Sequence, residues 1–138
     1  MLWIPWALAS ALFASATAIL AKMGTTGIAP DMAIAIRTSV VMVLVWGIVL
    51  AGGTWRNNSW PMGAIGFLIA SGLATGLSWI CYFRAIHQGP VSGVASIDKL
   101  SVVFTIILAA IILGEGLNAR VVLGGSLITL GAIIIAWK

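Results

Sequence analysis

Hydrophobic residues in this chain run on for about twenty positions at a time, the number a helix rising 1.5 Å per residue needs to cross roughly 30 Å of hydrocarbon. Five such runs, at 2–21, 32–51, 61–84, 91–113 and 119–137, are separated by short clusters of Gly, Pro, Thr, Asn and charged residues. Pro5 falls in the first turn of the first run, where its missing N–H is not needed. Thr25-Thr26-Gly27-Ile28-Ala29-Pro30 forms the first connection, Asp31 is the expected N-cap of the second span, and Gly52-Gly53 ends it. The third span starts at Pro61 and runs to Arg84. Gly89-Pro90 breaks the chain before the fourth, and Gly114 to Asn118 is a tight connection with Asn118 as N-cap. Amphipathic period adds little, because buried and lipid-facing positions are both apolar.

The pattern predicts an all-α integral membrane protein in which residues 1–138 form one five-helix transmembrane domain. Composition agrees: 62% of the 138 residues are hydrophobic and 7% charged, with mean hydropathy +1.17, whereas a soluble domain carries about 25% charged residues. The net charge of +4 comes from single Lys and Arg residues between apolar runs. These read as topology signals and give no reason to expect a nucleic-acid partner. Cys81 is the sole cysteine, so an internal disulfide is excluded. Ala14-Ser15-Ala16 resembles a leader cleavage site, but no basic residue precedes the apolar run, which reads as a retained span. Asn57-Asn58-Ser59 fits a glycosylation sequon and is read as coincidence.

With five spans the two ends of the sequence lie on opposite sides. The side of the N-terminus carries Arg56 and Arg120, and the other carries Lys22, Arg84 and Lys138. This slight excess leans towards the N-terminus outside, a bias small enough for one molecule to insert either way. Trp3, Trp6, Trp55 and Trp60 anchor the N-terminal side, and Trp137 the other. Small residues recur at four-residue spacing, as Ser10, Ala14 and Ala18 in the first span and Gly66, Ala70, Ala74 and Ser78 in the third, with Gly72 and Gly76 beside them. Such stripes favour close helix packing within one bundle. Many transporters pair two inverted repeats, with the site at the midplane between them. Five spans cannot hold such a pair. The expected assembly is therefore a homodimer, or a pair with a similar subunit, in opposite orientations.

The charges carry the candidate chemistry. Asp98 and Lys99 stand well inside the fourth span, where each costs roughly 2.5–3.5 kcal/mol on an insertion scale. Asp98 lies about 12 Å, and Arg37 about 9 Å, from the span ends where Lys22 and Arg84 also sit. Adjacent residues point 100° apart on a helix, so Asp98 and Lys99 are expected to pair poorly with each other. Arg37 is the expected partner of Asp98, leaving Lys99 and Lys22 to face a polar cavity; the reverse assignment stays open. Lys22, Arg37, Arg84 and Lys99 outnumber Asp31 and Asp98 there, which favours an anionic or carboxylate-bearing solute. Trp79 and Tyr82 are candidates for the cavity wall, and equally for ordinary interfacial aromatics. Glu115 and Arg84 read as structural charges, Glu115 as a loop charge or a contact to Arg120. His87 reads as interfacial. No catalytic or metal-ligating grouping is present in the sequence, and neither enzymatic activity nor a cofactor is expected.

From Tyr82 onward, YFRAIHQGPVSGVASIDKLSVVFTIILAAIILGEGLNARVVLGGSLITLGAIIIAW resembles an EamA-type repeat of the drug/metabolite transporter superfamily. The resemblance rests on Ala85 after the aromatic run, Ser92 to Ala95 opening the next helix, Gly114-Glu115 closing it, and the last span around Gly124 and Gly131. Residues 14–22 and Arg37 are also similar. It implies gradient-driven transport of small metabolites, often amino acids or related compounds, without ATP. Usual members hold two inverted repeats, and this chain is similar to one. The family's proline near the start of the fourth span is replaced by Ala95-Ser96, while Asp98-Lys99 is similar to the small single-repeat subgroup.

The leading expectation is a secondary transporter of a small amino-acid-like or carboxylate-bearing solute in a prokaryotic plasma membrane. The alternative is a membrane subunit that assembles with or regulates another membrane protein without transporting. A four-span multidrug exporter fits poorly, because the first span holds no acidic residue.

Overall fold

In hydrocarbon a backbone has no water to bind and must satisfy its N–H and C=O groups internally, so each apolar run becomes a helix. The computed structural model describes residues 2–56 and 60–137, which form α1 (Ile4–Gly24), α2 (Pro30–Gly52), α3 (Met62–Gln88), α4 (Val91–Asp98), α5 (Ser101–Ile112) and α6 (Ala119–Ala136). With α4 and α5 counted as one span, five helical segments are long and apolar enough to cross a membrane. The 57–59 sequon and Lys138 lie outside the described residues.

The helix ends follow their turn chemistry. Asp31 is not the N-cap of α2. Ala29 holds that position in extended conformation, with Pro30 beginning the helix and Asp31 in its first turn. Proline's fixed φ suits the first helical position, which moves the cap one residue upstream of it. Gly53 closes α2 with φ 64°, its N–H on the Leu50 carbonyl. Gly114 turns the chain after α5 with φ 69°, and glycine adopts this left-handed conformation without a Cβ penalty. Pro90 caps α4, as the Gly89-Pro90 break predicts. The Asn118 side chain accepts the Val121 N–H at 3.0 Å, capping α6 as expected.

The fourth span is not one helix. Its α-helical ladder is interrupted at Lys99 and Leu100 by bonds reaching back only three residues. Lys99 N–H donates to Ser96 O, Leu100 to Ile97, Val102 to Lys99 and Val103 to Leu100. No Gly or Pro lies in the break. Serine and threonine hydroxyls flank it, Ser96 Oγ donating to Ser92 O at 2.7 Å and Thr105 Oγ1 to Ser101 O at 2.8 Å. The same back-bonding is present at Ser39, Thr75 and Ser126 in uninterrupted helices, so it accompanies the break without explaining it.

The chain divides into two compact units, residues 1–20 with 88–138, and residues 21–87. In the first, α6 packs against both α4 and α5. Gly93, Gly125 and Ala132 are buried there, and a Cβ on Gly125 would lie 3.5 Å from Ile106 Cδ1. In the second, Phe83, Ile86 and Thr25 are the most enclosed side chains. The glycine stripe of α3 behaves differently from expectation. A Cβ on Gly66, Gly72 or Gly76 would meet nothing within 4 Å, so these glycines mediate no close approach among the described residues of their unit.

Candidate functional site

In the unit of residues 21–87, the cationic side chains of α1, α2 and α3 each meet a different partner: a carbonyl, aromatic rings and a carboxylate. Lys22, in the last turn of α1, donates from Nζ to the Ile86 carbonyl at 2.7 Å. That carbonyl is one of the last four of α3, which have no partner in their own helix. Lys22 thus caps α3 with its charge at the negative end of the helix dipole. Thr25 Oγ1 donates to Lys22 O at 3.0 Å, tying down the backbone beneath it. Arg84 Nη2 lies 3.3 Å from both carboxylate oxygens of Asp31, an exposed pair that links the start of α2 to the end of α3.

Arg37 is placed differently. Its guanidinium carbon sits 4.2 Å from the Trp79 ring centroid and 5.6 Å from that of Phe83. Trp79 and Phe83 are four residues apart on α3 and therefore share a face. Tyr82 stands edge-on to Phe83, with ring centroids 6.3 Å apart. Arg37 lies roughly 10 Å from the start of α2, Phe83 roughly 8 Å from the end of α3, and Trp79 roughly 13 Å from that end. Those helix ends are on one side of the membrane, so Arg37, Trp79 and Phe83 lie at similar depths in their spans. A basic side chain near a span end ordinarily reaches outward to the interface. A cation–π contact contributes about 0.5–2 kcal/mol, against roughly 2.5–3.5 kcal/mol for a charge at a span centre. The stack therefore offsets only part of the cost. The only carboxylate in residues 21–87 is Asp31, and Arg84 engages it.

In the other unit, Asp98 ends α4 and Lys99 follows in the interrupted turn, with Lys99 Nζ 3.8 Å from Asp98 Oδ2. The pair forms despite the poor angular match of neighbouring residues. The flexible four-carbon lysine stem lets the ammonium reach back, and 3.8 Å is too long for a hydrogen bond. The break also leaves Asp98 without one continuous helical face shared with Thr105 and Ala109. Both side chains stay open, at 41% exposure for Asp98 and 59% for Lys99. Two charges about 12 Å into a span are thus half uncovered by their own chain. Non-helical backbone at membrane depth is tolerated where it is buried in protein or lines a water-filled cavity, and transporter sites are typically built on such discontinuous helices.

The structure thus groups Lys22, Arg37, Trp79, Tyr82 and Arg84 in one unit and Asp98 with Lys99 in the other. Glu115 lies in the exposed α5–α6 connection, its N–H on Ala109 O at 3.2 Å. Sequence reasoning missed two features. The helix break has no local residue signal, since back-bonding Ser and Thr residues like those flanking it also stand in the unbroken α2, α3 and α6. The Arg37 stack was signalled by Trp79 and Phe83 at four-residue spacing.

The sequence profile of the EamA-like transporter family matches residues 1–137. A Sinorhizobium sp. protein named "Uncharacterized transporter in cobO 3'region" is 45% identical over 135 residues, covering 97% of this chain and 96% of that protein. No solved structure matches.

Proposed function

From the premise that this chain belongs to the EamA-like transporter family, we propose that it moves a small carboxylate-bearing or amino-acid-like solute down or against a gradient as a secondary transporter. The observation that carries this reading is the broken fourth span with Asp98 and Lys99 half uncovered at membrane depth. A subunit that only packs against a partner gains nothing from two such charges, each costing roughly 2.5–3.5 kcal/mol. A translocation element needs polar groups and a backbone able to move, and three-residue hydrogen bonding inside a span often marks a hinge. Asp98 and Lys99 are candidates for solute binding or coupling. Arg37, Lys22, Trp79 and Tyr82 are candidates for solute contact, and Arg84 holds the helix ends.

The chain supplies one repeat, and the working assembly in this reading is a homodimer or a pair with a similar subunit, inserted in opposite orientations. Support comes from the near balance of basic residues on the two sides and from the open glycine stripe of α3. The bacterial relative supports a prokaryotic plasma-membrane location.

Two measurements test this. Vesicles containing only this protein should accumulate labelled amino acids or organic acids, whereas no flux of any of them supports the non-transporting alternative. Impermeant labelling of tags at each terminus in intact cells should find both orientations, or one orientation together with an oppositely inserted similar subunit. A single orientation with no such partner refutes the antiparallel assembly.

A further inference from the structure

The groups beside the Arg37 guanidinium are the Trp79 and Phe83 rings and Tyr82, while the one carboxylate of residues 21–87, Asp31, is held by Arg84. The Arg37 guanidinium carbon lies over the Trp79 ring, 4.2 Å from the centroid. The neighbouring cations are engaged, Lys22 on the Ile86 carbonyl and Arg84 on Asp31. Stacking occupies a guanidinium's flat face and leaves its five N–H groups in the plane of the fork, the arrangement that receives a carboxylate by two parallel bonds. A lysine in the same place would be a point charge without that fork.

We propose that Arg37, oriented by Trp79, is the carboxylate receptor of the transported solute. The inference rests on the transport reading above and deepens it. It divides the labour among the charges: Arg37 binds the solute's acid group, Trp79 is a positioning residue, and Arg84 holds helix ends. Phe83, buried beside the stack, completes the platform on α3 and limits the side chain's freedom. The preference that follows is for a solute with a planar, delocalised anion over its ester, amide or amine.

The experiment uses the full chain, purified and reconstituted in phosphatidylcholine vesicles with and without phosphatidylglycerol. Uptake of the labelled common amino acids is measured in competition with the same amino acids, their methyl esters and the corresponding decarboxylated amines. The wild type should be inhibited by acids far better than by esters or amines. Arg37→Gln should raise the half-saturating concentration for acids at least roughly tenfold, the scale of a lost charge-assisted pair, with the ester values unchanged. Arg37→Lys should recover only part of the acid preference. Trp79→Leu should lower the acid-to-ester preference and Trp79→Phe should restore it, a pattern that a purely structural role for the ring does not produce. Arg84→Gln should keep the preference within about twofold, the range of an exposed pair.

Acid preference intact in Arg37→Lys and Arg37→Gln overturns the assignment to Arg37 and leaves the transport reading standing. An Arg37 effect seen only with phosphatidylglycerol present assigns the residue to a lipid headgroup and overturns it as well. A wild type that takes up none of the panel, or does not distinguish acids from esters, overturns both the assignment and the carboxylate-transport reading beneath it.

Discussion

Substituting Lys99 by leucine tests the energetic reading of the fourth span. Residues 91–112 contain twelve Leu, Ile, Phe and Val residues, together worth roughly 4–7 kcal/mol in favour of insertion at about 0.3–0.6 kcal/mol each. Asp98 and Lys99 oppose insertion by roughly 5–7 kcal/mol between them. The terms nearly cancel, so the isolated segment sits close to the midpoint between inserted and not. Lys99→Leu removes one charge and adds one apolar side chain, a change of about 3–4 kcal/mol. That shifts the equilibrium more than a hundredfold, since each 1.4 kcal/mol is about tenfold. The assay places 91–112 in a reporter with glycosylation acceptors on both flanks and measures the inserted fraction in microsomes. Wild type should insert partially and Lys99→Leu nearly completely, with Asp98→Leu similar. Full insertion of the wild-type segment, unchanged by either substitution, refutes the claim that these charges carry a cost that the assembled protein must offset.

Phe83, 2% exposed, should cost about 3 kcal/mol or more when replaced by alanine. Detergent-titrated unfolding in mixed micelles checks this, and a cost below about 1 kcal/mol removes Phe83 from the core of its unit. Asn118→Ala removes the side chain that accepts the Val121 N–H and should cost about 1 kcal/mol in the same assay. Asp31 and Arg84 are mostly exposed, so a double-mutant cycle should give a coupling below about 1 kcal/mol. That coupling should shrink with added salt, and a larger, salt-insensitive value would place the pair in a dry environment.

Much of the fold is legible in the sequence, because span length in a bilayer is set by thickness and backbone satisfaction rather than by subtle packing. Gly53, Gly114, Pro90 and Asn118 mark helix ends by local chemistry alone. Asp31 does not, because Pro30 takes the first helical position and the carboxylate is drawn to Arg84 fifty-three residues away. The break after Asp98 is hidden for a different reason. A three-residue turn leaves no Gly or Pro signature, and a 22-residue apolar run reads as continuous. The site residues are legible as costly charges, but their partners are not. Lys22 meets a helix-end carbonyl and Arg37 meets aromatic rings, which charge matching does not select, and Lys99 reaches back to Asp98, which the angular argument disfavours.

The central claim is that the interrupted fourth span moves solute, and Asp98→Asn tests it most directly. Flux of labelled carboxylate solutes is compared between wild type and Asp98→Asn in vesicles containing only this protein at equal reconstituted amounts. The account predicts time-dependent accumulation by the wild type and its loss in a variant that inserts and assembles normally. Equal flux in the two contradicts it and reduces Asp98 to a structural charge.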